Sequence, residues 1–380
     1  MIRPLSPPAA QDYAGCRRPA GLDPGGGCVY RKLSDRSRQA GPAQAGRSSA
    51  REGLRNHAVR VVTGTGRIPL LAVLATGGTI ASSRDTNGAA SPSLGAADLL
   101  AMLPPMAVDL RPQEVLAKDS ASLTLADMQR ISDAVAAQLA DPGIAGVIAL
   151  HGTDAMEETA LLVQLQHAPR KPVVFTGAQF ASDHPRSDGA RNLADAVRAA
   201  LQPPGQGGVV LAFGGRLLPV WGLYKFASDA PDAFRRVAEE GPSVTRPLPA
   251  PVDSLRVDIV ATHPGSDGLH LEASLAAGAR GIVISALGSG NATPELVAAI
   301  ARARAQGVVV VVSSRVPEGL LSPIYGGGGG GHDMRRAGAI HARLLRPGQA
   351  RILLAAMLAN GCPEAEIARA FETAPEAATT

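Results

Sequence analysis

The sequence predicts an α/β protein of two domains, each a mostly parallel sheet flanked by helices, with the larger domain N-terminal. Short buried apolar runs alternate with amphipathic stretches of helical period from residue 68 onward. Turn motifs directly follow two of these runs, TGGT at 76–79 and HGTD at 151–154. A proline-rich stretch within 242–256 lacks periodicity and divides the alternation into two blocks.

The apolar runs have the length and composition of buried parallel strands. They lie at 68–75, 147–150, 172–175, 208–213, 258–261, 281–286 and 307–312. Amphipathic stretches between them predict helices over 123–139, 156–165, 187–200, 269–277 and 293–305. The last of these begins with Thr293 and Pro294, which are typical of an N-cap and of a first helical position.

Charge separates the first 67 residues from the rest. They hold 12 Lys and Arg against 4 Asp and Glu, whereas residues 68–380 hold 25 against 29. Such a basic arm could bind nucleic acid or an anionic membrane. We interpret it instead as a disordered, dispensable tail, because it lacks aromatic or helical patterning.

The predicted organisation follows from these features. A basic arm over 1–67 precedes an N-terminal domain over 68–241, a linker over 242–256 and a C-terminal domain over 257–380. No run approaches the ~18 apolar residues of a membrane-spanning helix. Only three cysteines are present, without metal-ligand spacing, which argues against a disulfide framework or a zinc site and favours the cytoplasm.

Hydroxyl and carboxylate side chains follow two predicted strands. Thr79 comes after the two glycines of the TGGT turn, and Thr153 and Asp154 follow the strand that ends at residue 150. Ligands of open α/β sheets bind in the crevice outside the carboxyl ends of the strands, so these side chains are candidates for one site. The alternative for Thr153 and Asp154 is capping of the next helix.

Lys225 is the candidate base of this site. A threonine hydroxyl is a poor nucleophile and needs a base. A lysine can serve when its surroundings lower its pKa. Lys225 follows the strand predicted to end near residue 213, and the alternative is an ordinary solvated loop lysine.

Together these motifs resemble those of the bacterial L-asparaginase family, the threonine-dependent amidohydrolases. The resemblance spans about residues 68–372 and rests on two signatures at the correct separation. The similar segments are ATGGTIA at 75–81, HGTDAMEETA at 151–160, SDG at 187–189 with NL at 192–193, GSGN at 288–291 and SSRVP at 313–317.

The resemblance implies a role for each matching residue. Thr79 is the primary nucleophile. Lys225 acts on the hydroxyl of Thr153, while Asp154 orients Lys225 and grips the α-amino group of the substrate. Ser120 holds the substrate α-carboxylate. These residue types suit a small zwitterionic amino acid, which needs a carboxylate for its ammonium and hydroxyl or N–H donors for its carboxylate.

The resemblance also has implications for partners. Asn291 aligns with an asparagine that is contributed across an intimate dimer interface, so a homodimer or a homotetramer of two such dimers is expected. The expected ligand is a small-molecule substrate, with no nucleic acid, no membrane, no metal and no organic cofactor. The eight histidines show no ligand spacing, so we interpret His151 and His263 as structural.

One departure from the family concerns the tyrosine that activates the nucleophile. The family often carries it on the mobile loop after the nucleophile, yet residues 82–91 contain none. Tyr325 precedes six glycines at 326–331, and we hypothesise that it reaches the site on this glycine-hinged lid. The alternative is that Tyr325 is a surface loop residue.

The implied reaction is hydrolysis of L-asparagine to L-aspartate and ammonia through a threonine acyl-enzyme. A glutaminase-preferring amidohydrolase is an alternative, because one methylene changes discrimination by only ~1–3 kcal/mol. A non-catalytic amino-acid-binding protein on the same scaffold is another. A protein that only binds an amino acid does not need two activated hydroxyl groups. The combination of Thr79, Thr153, Asp154 and Lys225 therefore argues against this alternative.

Overall fold

The computed structural model describes residues 68–78, 80, 82–84, 90–92, 95–202 and 208–373. These residues belong to one compact unit. The predicted basic arm, Thr79, parts of the loop after it and the tail from residue 374 lie outside the described residues. Within the described ranges, no helix has the length and apolar character needed to cross a membrane.

Strands and helices alternate through most of the chain. In chain order the strands are β1 (Leu70–Ala75), β2 (Ser82–Arg84), β3 (Ala90–Pro92), β4 (Asp109–Glu114), β5 (Ile144–Leu150), β6 (Pro172–Thr176), β7 (Gly208–Phe213), β8 (Arg216–Pro219), β9 (Leu223–Lys225), β10 (Phe234–Arg236), β11 (Val257–Ala261), β12 (Gly281–Ala286), β13 (Val309–Ser314) and β14 (Ile340–His341). The helices are α1 (Ala96–Leu100), α2 (Leu125–Ala140), α3 (Met156–His167), α4 (Gly189–Ala200), α5 (Leu269–Ala276), α6 (Pro294–Ala305), α7 (Gly331–Arg336), α8 (Pro347–Ala359) and α9 (Glu364–Glu372). The predicted α/β fold with mostly parallel sheets flanked by helices is confirmed.

A six-stranded sheet of order β4-β1-β5-β6-β7-β8 forms the first layer, parallel except for β8. Side chains of β1 alternate between its two faces, as the period of a strand requires. Ala72 and Leu74 pack with α2 and α3, whereas Leu71 and Val73 pack with α1 and α4. All four are at most 1% exposed, and burying one leucine contributes about 1.5–3 kcal/mol.

A four-stranded parallel sheet of order β11-β12-β13-β14 forms the second layer. One face packs against α5 and α6, and the other packs against α8. The core that contains α8 also contains Leu161, Leu162 and Leu165 of α3. The two sheets are therefore joined through the contact of α3 with α8.

The predicted linker over 242–256 is irregular and firmly packed. Leu248 and Val252 are fully buried. The backbone N–H of Leu248 donates to the carbonyl of Leu165 at 2.8 Å, and that of Val252 donates to Oε1 of Gln129 at 3.0 Å. This stretch lies between the two sheets in sequence and contributes to the core that they share.

Helix starts follow the local chemistry of the sequence. Thr293 caps α6 as predicted, with its hydroxyl accepting from the N–H of Leu296 at 3.3 Å. At the start of α2, Thr124 and Asp127 cap each other's backbone N–H groups. The bond from Lys118 to Asp127 is the largest cause that lowers the pKa of this carboxyl to about 2.

His341 of β14 is buried as a neutral ring. It is 1% exposed, and neither ring nitrogen has a partner among the described residues. Burial lowers its pKa from 6.5 to about 4, Arg335 lowers it further, and Glu372 opposes the shift. The stabilising free energy that the neutral ring contributes is fully present when the pH is above the unfolded-state pKa. It is lost as the pH falls toward the folded-state pKa.

Replacing His341 with leucine is expected to make the protein more resistant to acid. Between about pH 7 and pH 4.5 the wild type should lose about 2 kcal/mol more unfolding free energy than the variant. At neutral pH the change should be small, because no hydrogen bond of the ring is removed. Urea unfolding at both pH values measures this, with the exposed His270→Leu as control; equal losses in wild type and His341→Leu would contradict it.

Candidate active site

The two motifs that follow β1 and β5 begin at the same level of the sheet. Ala75 is the register partner of Leu150, so both strands end together. The backbone N–H and hydroxyl of Thr76 both donate to the carbonyl of Leu150, at 3.1 and 2.9 Å. Thr76 is 2% exposed, and its two hydrogen bonds join the ends of β1 and β5.

Glycines let three turns approach one another at this edge. A Cβ on Gly77 would lie 2.4 Å from the carbonyl oxygen of Lys118, and one on Gly78 would lie 2.4 Å from Cα of Gly152. A Cβ on Gly152 would lie 2.4 Å from Oγ of Ser120. These distances are far below van der Waals contact, so each position requires glycine.

Thr153, Asp154 and Lys225 form a hydrogen-bonded cluster at the same edge. The ammonium Nζ of Lys225 donates to Oγ1 of Thr153 and to Oδ1 of Asp154, each at 2.7 Å. Thr153 is buried, the side chain of Lys225 is 18% exposed, and that of Asp154 is 54% exposed. The cluster therefore has a buried hydroxyl end and a carboxylate end open to solvent.

Neither alternative interpretation of these residues describes their contacts. The N-cap of α3 is Ala155, without a side-chain capping bond, so Thr153 and Asp154 do not cap this helix. Lys225 ends β9, which pairs with β10 through Phe234, and it is not a solvated loop lysine.

Ser120 belongs to the same cluster. It lies in a short 3₁₀ helix over Ser120–Ser122 and is 3% exposed. Its Oγ accepts a hydrogen bond from the backbone N–H of Asp154 at 3.2 Å. The structure therefore brings together four predicted site residues from separate parts of the chain, Ser120, Thr153, Asp154 and Lys225.

Thr79, the predicted nucleophile, lies outside the described residues. Both of its neighbours are placed at the site edge. Gly78 packs against Gly152, and Ile80 is 3% exposed and lies beside Gly189 at the start of α4. After Ile80, β2 and β3 pair antiparallel where the sequence indicated only a loop.

Asn291 and Tyr325 lie apart from this cluster in the hydrogen-bonding pattern. Oδ1 of Asn291 accepts from the N–H of Gly331 at 3.3 Å, and the carbonyl of Tyr325 accepts from His332. A Cβ on Gly330 would lie 1.9 Å from the carbonyl oxygen of Tyr325, so this glycine has a packing role. Tyr325 is 55% exposed, and within the described ranges neither residue bonds to the cluster.

Two acidic residues of the second motif lie near the cluster and were not among the predicted site residues. Glu157 and Glu158 lie in the first turn of α3, directly beyond Asp154. Burial is the largest cause that raises both pKa values, to about 8 for Glu157, where Glu158 also raises it. Their signal in the sequence is the EE pair of HGTDAMEETA, four and five residues after Thr153.

His151 of the second motif is packed in the interior of the protein. It is fully buried, its Nδ1 lies 2.7 Å from the carbonyl of Gly152, and its ring contacts Phe175. Burial lowers its pKa to about 4. In the described part of the chain, no group of three or more His, Cys, Asp or Glu side chains is arranged to hold a metal ion.

Comparison with known proteins gives a family for both halves of the chain. The family model described as "Asparaginase, N-terminal" matches residues 70–245, and "Glutaminase/Asparaginase C-terminal domain" matches residues 256–371. A probable L-asparaginase of Deinococcus radiodurans is 35% identical over 328 residues, which cover 80% of this chain and 97% of that protein.

Two further proteins are similar over most of the chain. The crystal structure of a probable cytoplasmic L-asparaginase from Campylobacter jejuni superposes with a TM-score of 0.70 at 27% identity, covering 80% of this chain and 99% of that one. One component of the glutamyl-tRNA(Gln) amidotransferase of Aeropyrum pernix is 31% identical over 307 residues, covering 71% of this chain and 70% of that protein. The matches to both domain models and to the Deinococcus protein show that the chain belongs to the asparaginase family.

Proposed function

We propose that this protein hydrolyses the side-chain amide of L-asparagine to L-aspartate and ammonia, through an acyl-enzyme on Thr79. The observation that supports this most directly is the hydrogen-bonded cluster of Thr153, Lys225 and Asp154 beside the TGGT turn. The family membership of the chain supports the same class of reaction.

The open end of the cluster suits the charged groups of a free amino acid. The half-exposed carboxylate of Asp154 can accept the α-ammonium of asparagine while it still pairs with Lys225. Ser120 Oγ accepts one bond from the Asp154 N–H, which leaves its own O–H to donate to the α-carboxylate. The two groups are adjacent, as the two charges of an α-amino acid are.

The proposed chemistry proceeds in two balanced steps. Thr79 Oγ bonds to the amide carbon, the C–N bond breaks, and the nitrogen leaves as ammonia after it gains a proton. Water then attacks the ester, the bond to Thr79 breaks, and aspartate leaves. Thr153 and Lys225 act as the proton relay, with Lys225 in its amine form: Thr153 takes a proton from the attacking group as its own proton passes to Lys225 Nζ, and the resulting ammonium returns a proton to the leaving nitrogen.

Several further features belong to this proposal. The protein acts in the cytoplasm as a homodimer or homotetramer, in which Asn291 of one copy contributes to the site of another.

Tyr325 supplies the activating hydroxyl that the loop after Thr79 lacks. Its exposed ring at the end of a packed glycine run suits contact with a second copy. An unchanged kcat for ammonia release in Tyr325→Phe would contradict this role of Tyr325.

Ammonia release from the purified protein tests the proposal. With L-asparagine the wild type should release ammonia, and Thr79→Ala should lower the rate by at least about 10³-fold while its circular dichroism spectrum stays unchanged. Substantial residual turnover in Thr79→Ala would place the nucleophile elsewhere.

The same assay separates the alternatives. Faster release from L-glutamine than from L-asparagine would indicate a glutaminase. A folded protein that binds either amino acid by calorimetry without releasing ammonia would indicate the non-catalytic binding protein.

A further inference from the structure

Glu157 is a carboxyl group at the edge of the site that the proposed mechanism does not use. It lies in the first turn of α3, four residues after Thr153. Its Oε2 has no solvent-accessible surface and no hydrogen-bond partner in the described part of the chain. An ionised oxygen in that position would lack both water and a donor, which is costly.

The charges around Glu157 are already paired with other groups. The Lys225 ammonium donates to Thr153 and Asp154 at 2.7 Å each. The adjacent Glu158 forms an ion pair with Arg351 at 3.3 Å. Glu157 therefore has a like charge beside it, while the nearest cations are engaged with other oxygens.

Further contacts of Glu157 come from its own backbone and from two other segments. The backbone N–H groups of Glu157 and Lys225 bond to its carboxyl, and the neutral amide Nε2 of Gln349 in α8 donates to its main-chain carbonyl at 3.1 Å. Burial and Glu158 raise the pKa of Glu157 to about 8, although Lys225 lowers it. The raised pKa and the buried, unpaired Oε2 both indicate that the carboxyl of Glu157 is protonated near neutral pH.

We propose that Glu157 is a neutral carboxylic acid that acts through Lys225, leaving Asp154 as the carboxylate that pairs with the Lys225 ammonium. The inference rests on the proposed function, because it gives Glu157 a part in the Thr153–Lys225 proton relay. An ionised Glu157 beside Lys225 would compete with Thr153 and Asp154 for Nζ of Lys225 and draw it out of the relay. Glu157 is thus a positioning residue, since its neutral form leaves Lys225 in place against Thr153.

The pH profile of kcat tests this role. The wild type should lose activity on the alkaline side with a half-point near about pH 8, where Glu157 ionises. Glu157→Gln keeps the shape of the neutral acid, so its alkaline limb should move up by about one pH unit or more. If Glu157 had only a structural role, Glu157→Gln would instead lower kcat by the same factor at every pH.

Glu158→Gln is the matched variant, because it removes the neighbouring like charge and keeps Glu157. Its alkaline limb should move to lower pH, since the Glu157 carboxylate then forms more easily. Wild-type and Glu157→Gln profiles that coincide after scaling would overturn the inference.

Infrared difference spectroscopy gives a readout that is independent of turnover. At about pH 7 the wild type should show the carbonyl band of one protonated carboxylic acid that Glu157→Gln lacks. If this band is absent, the inference fails, whatever the substrate. Absence of ammonia release from the wild type would count against the proposed function, and the two failures are therefore distinguishable.

Discussion

Replacing Lys225 with methionine is expected to lower kcat for asparagine by about 10²–10⁴-fold, the range for loss of a general base. Methionine removes the donor that holds Thr153 Oγ1 and Asp154 Oδ1 at 2.7 Å. The fold should persist, because the carboxylate of Asp154 is 54% exposed and stays solvated without its partner. Steady-state ammonia release and thermal unfolding measure the two effects separately.

Lys225→Arg separates proton transfer from hydrogen bonding. Arginine still donates to both oxygens but stays protonated, so a group that works as a proton acceptor is lost. The arginine variant should therefore be nearly as impaired as the methionine variant. Near wild-type activity in Lys225→Arg would mean that the lysine only orients Thr153 and Asp154.

Lys171→Met is the control for loss of a half-buried lysine contact. Nζ of Lys171 donates to the carbonyls of Leu139 and Asp141, at 2.9 and 2.7 Å, at the amino edge of the large sheet. This variant should lose about 1–3 kcal/mol of unfolding free energy and keep its kcat. If Lys225→Met stays within tenfold of wild-type kcat, the proposed relay is wrong.

The sequence was most informative where a buried strand meets a polar turn. Parallel strands end at one edge, so the motifs after β1 and β5 had to lie side by side, and the structure places them in contact. The helix starting at Thr293 was equally predictable, because its capping chemistry is local. The strand that ends at Phe213 also has the predicted bounds.

Helix α8 could not be recognised from hydrophobic period, whereas α9 buries Ile367, Ala370 and Phe371 at helical spacing and was not predicted despite that signal. The segment ARILLAAMLA in α8 is apolar on all sides because the helix is buried between the two sheets. Pro347 and Gly361, at its two ends, were the available signals. Short strands such as β9, which carries Lys225, were also missed, because three residues show no period.

Helix α8 also holds parts of the candidate site together. Gln349 of α8 is 1% exposed, and its Nε2 donates to the carbonyls of Glu157 and Val220, at 3.1 and 2.6 Å. The first carbonyl belongs to the helix that follows Thr153, and the second lies five residues before Lys225. The C-terminal half thereby holds together the two segments that carry the proposed proton relay, which no local pattern could indicate.

Gly78→Ala is expected to have the second large effect, on both stability and turnover. Gly78 has a φ of +87°, and a Cβ there would lie 2.4 Å from Cα and 2.5 Å from N of Gly152. Both obstacles are backbone, so neither can rotate away. A left-handed φ costs an alanine about 1–2 kcal/mol, and overpacking adds about 1–3 kcal/mol.

The loss of turnover should exceed what unfolding explains. Relief of the clash must move the turn before Thr79 away from the turn before Thr153, and a shift of about 1 Å at a site can cost about 10²-fold in rate. We expect kcat to fall by about that factor at temperatures where Gly78→Ala is still folded. Gly241→Ala is the matched control, because nothing lies within 4 Å of its added Cβ and its stability and kcat should stay unchanged. Wild-type melting temperature and kcat in Gly78→Ala would mean that Gly78 is not packed against Gly152, and would remove the contact on which the proposed role of Thr79 in this site depends.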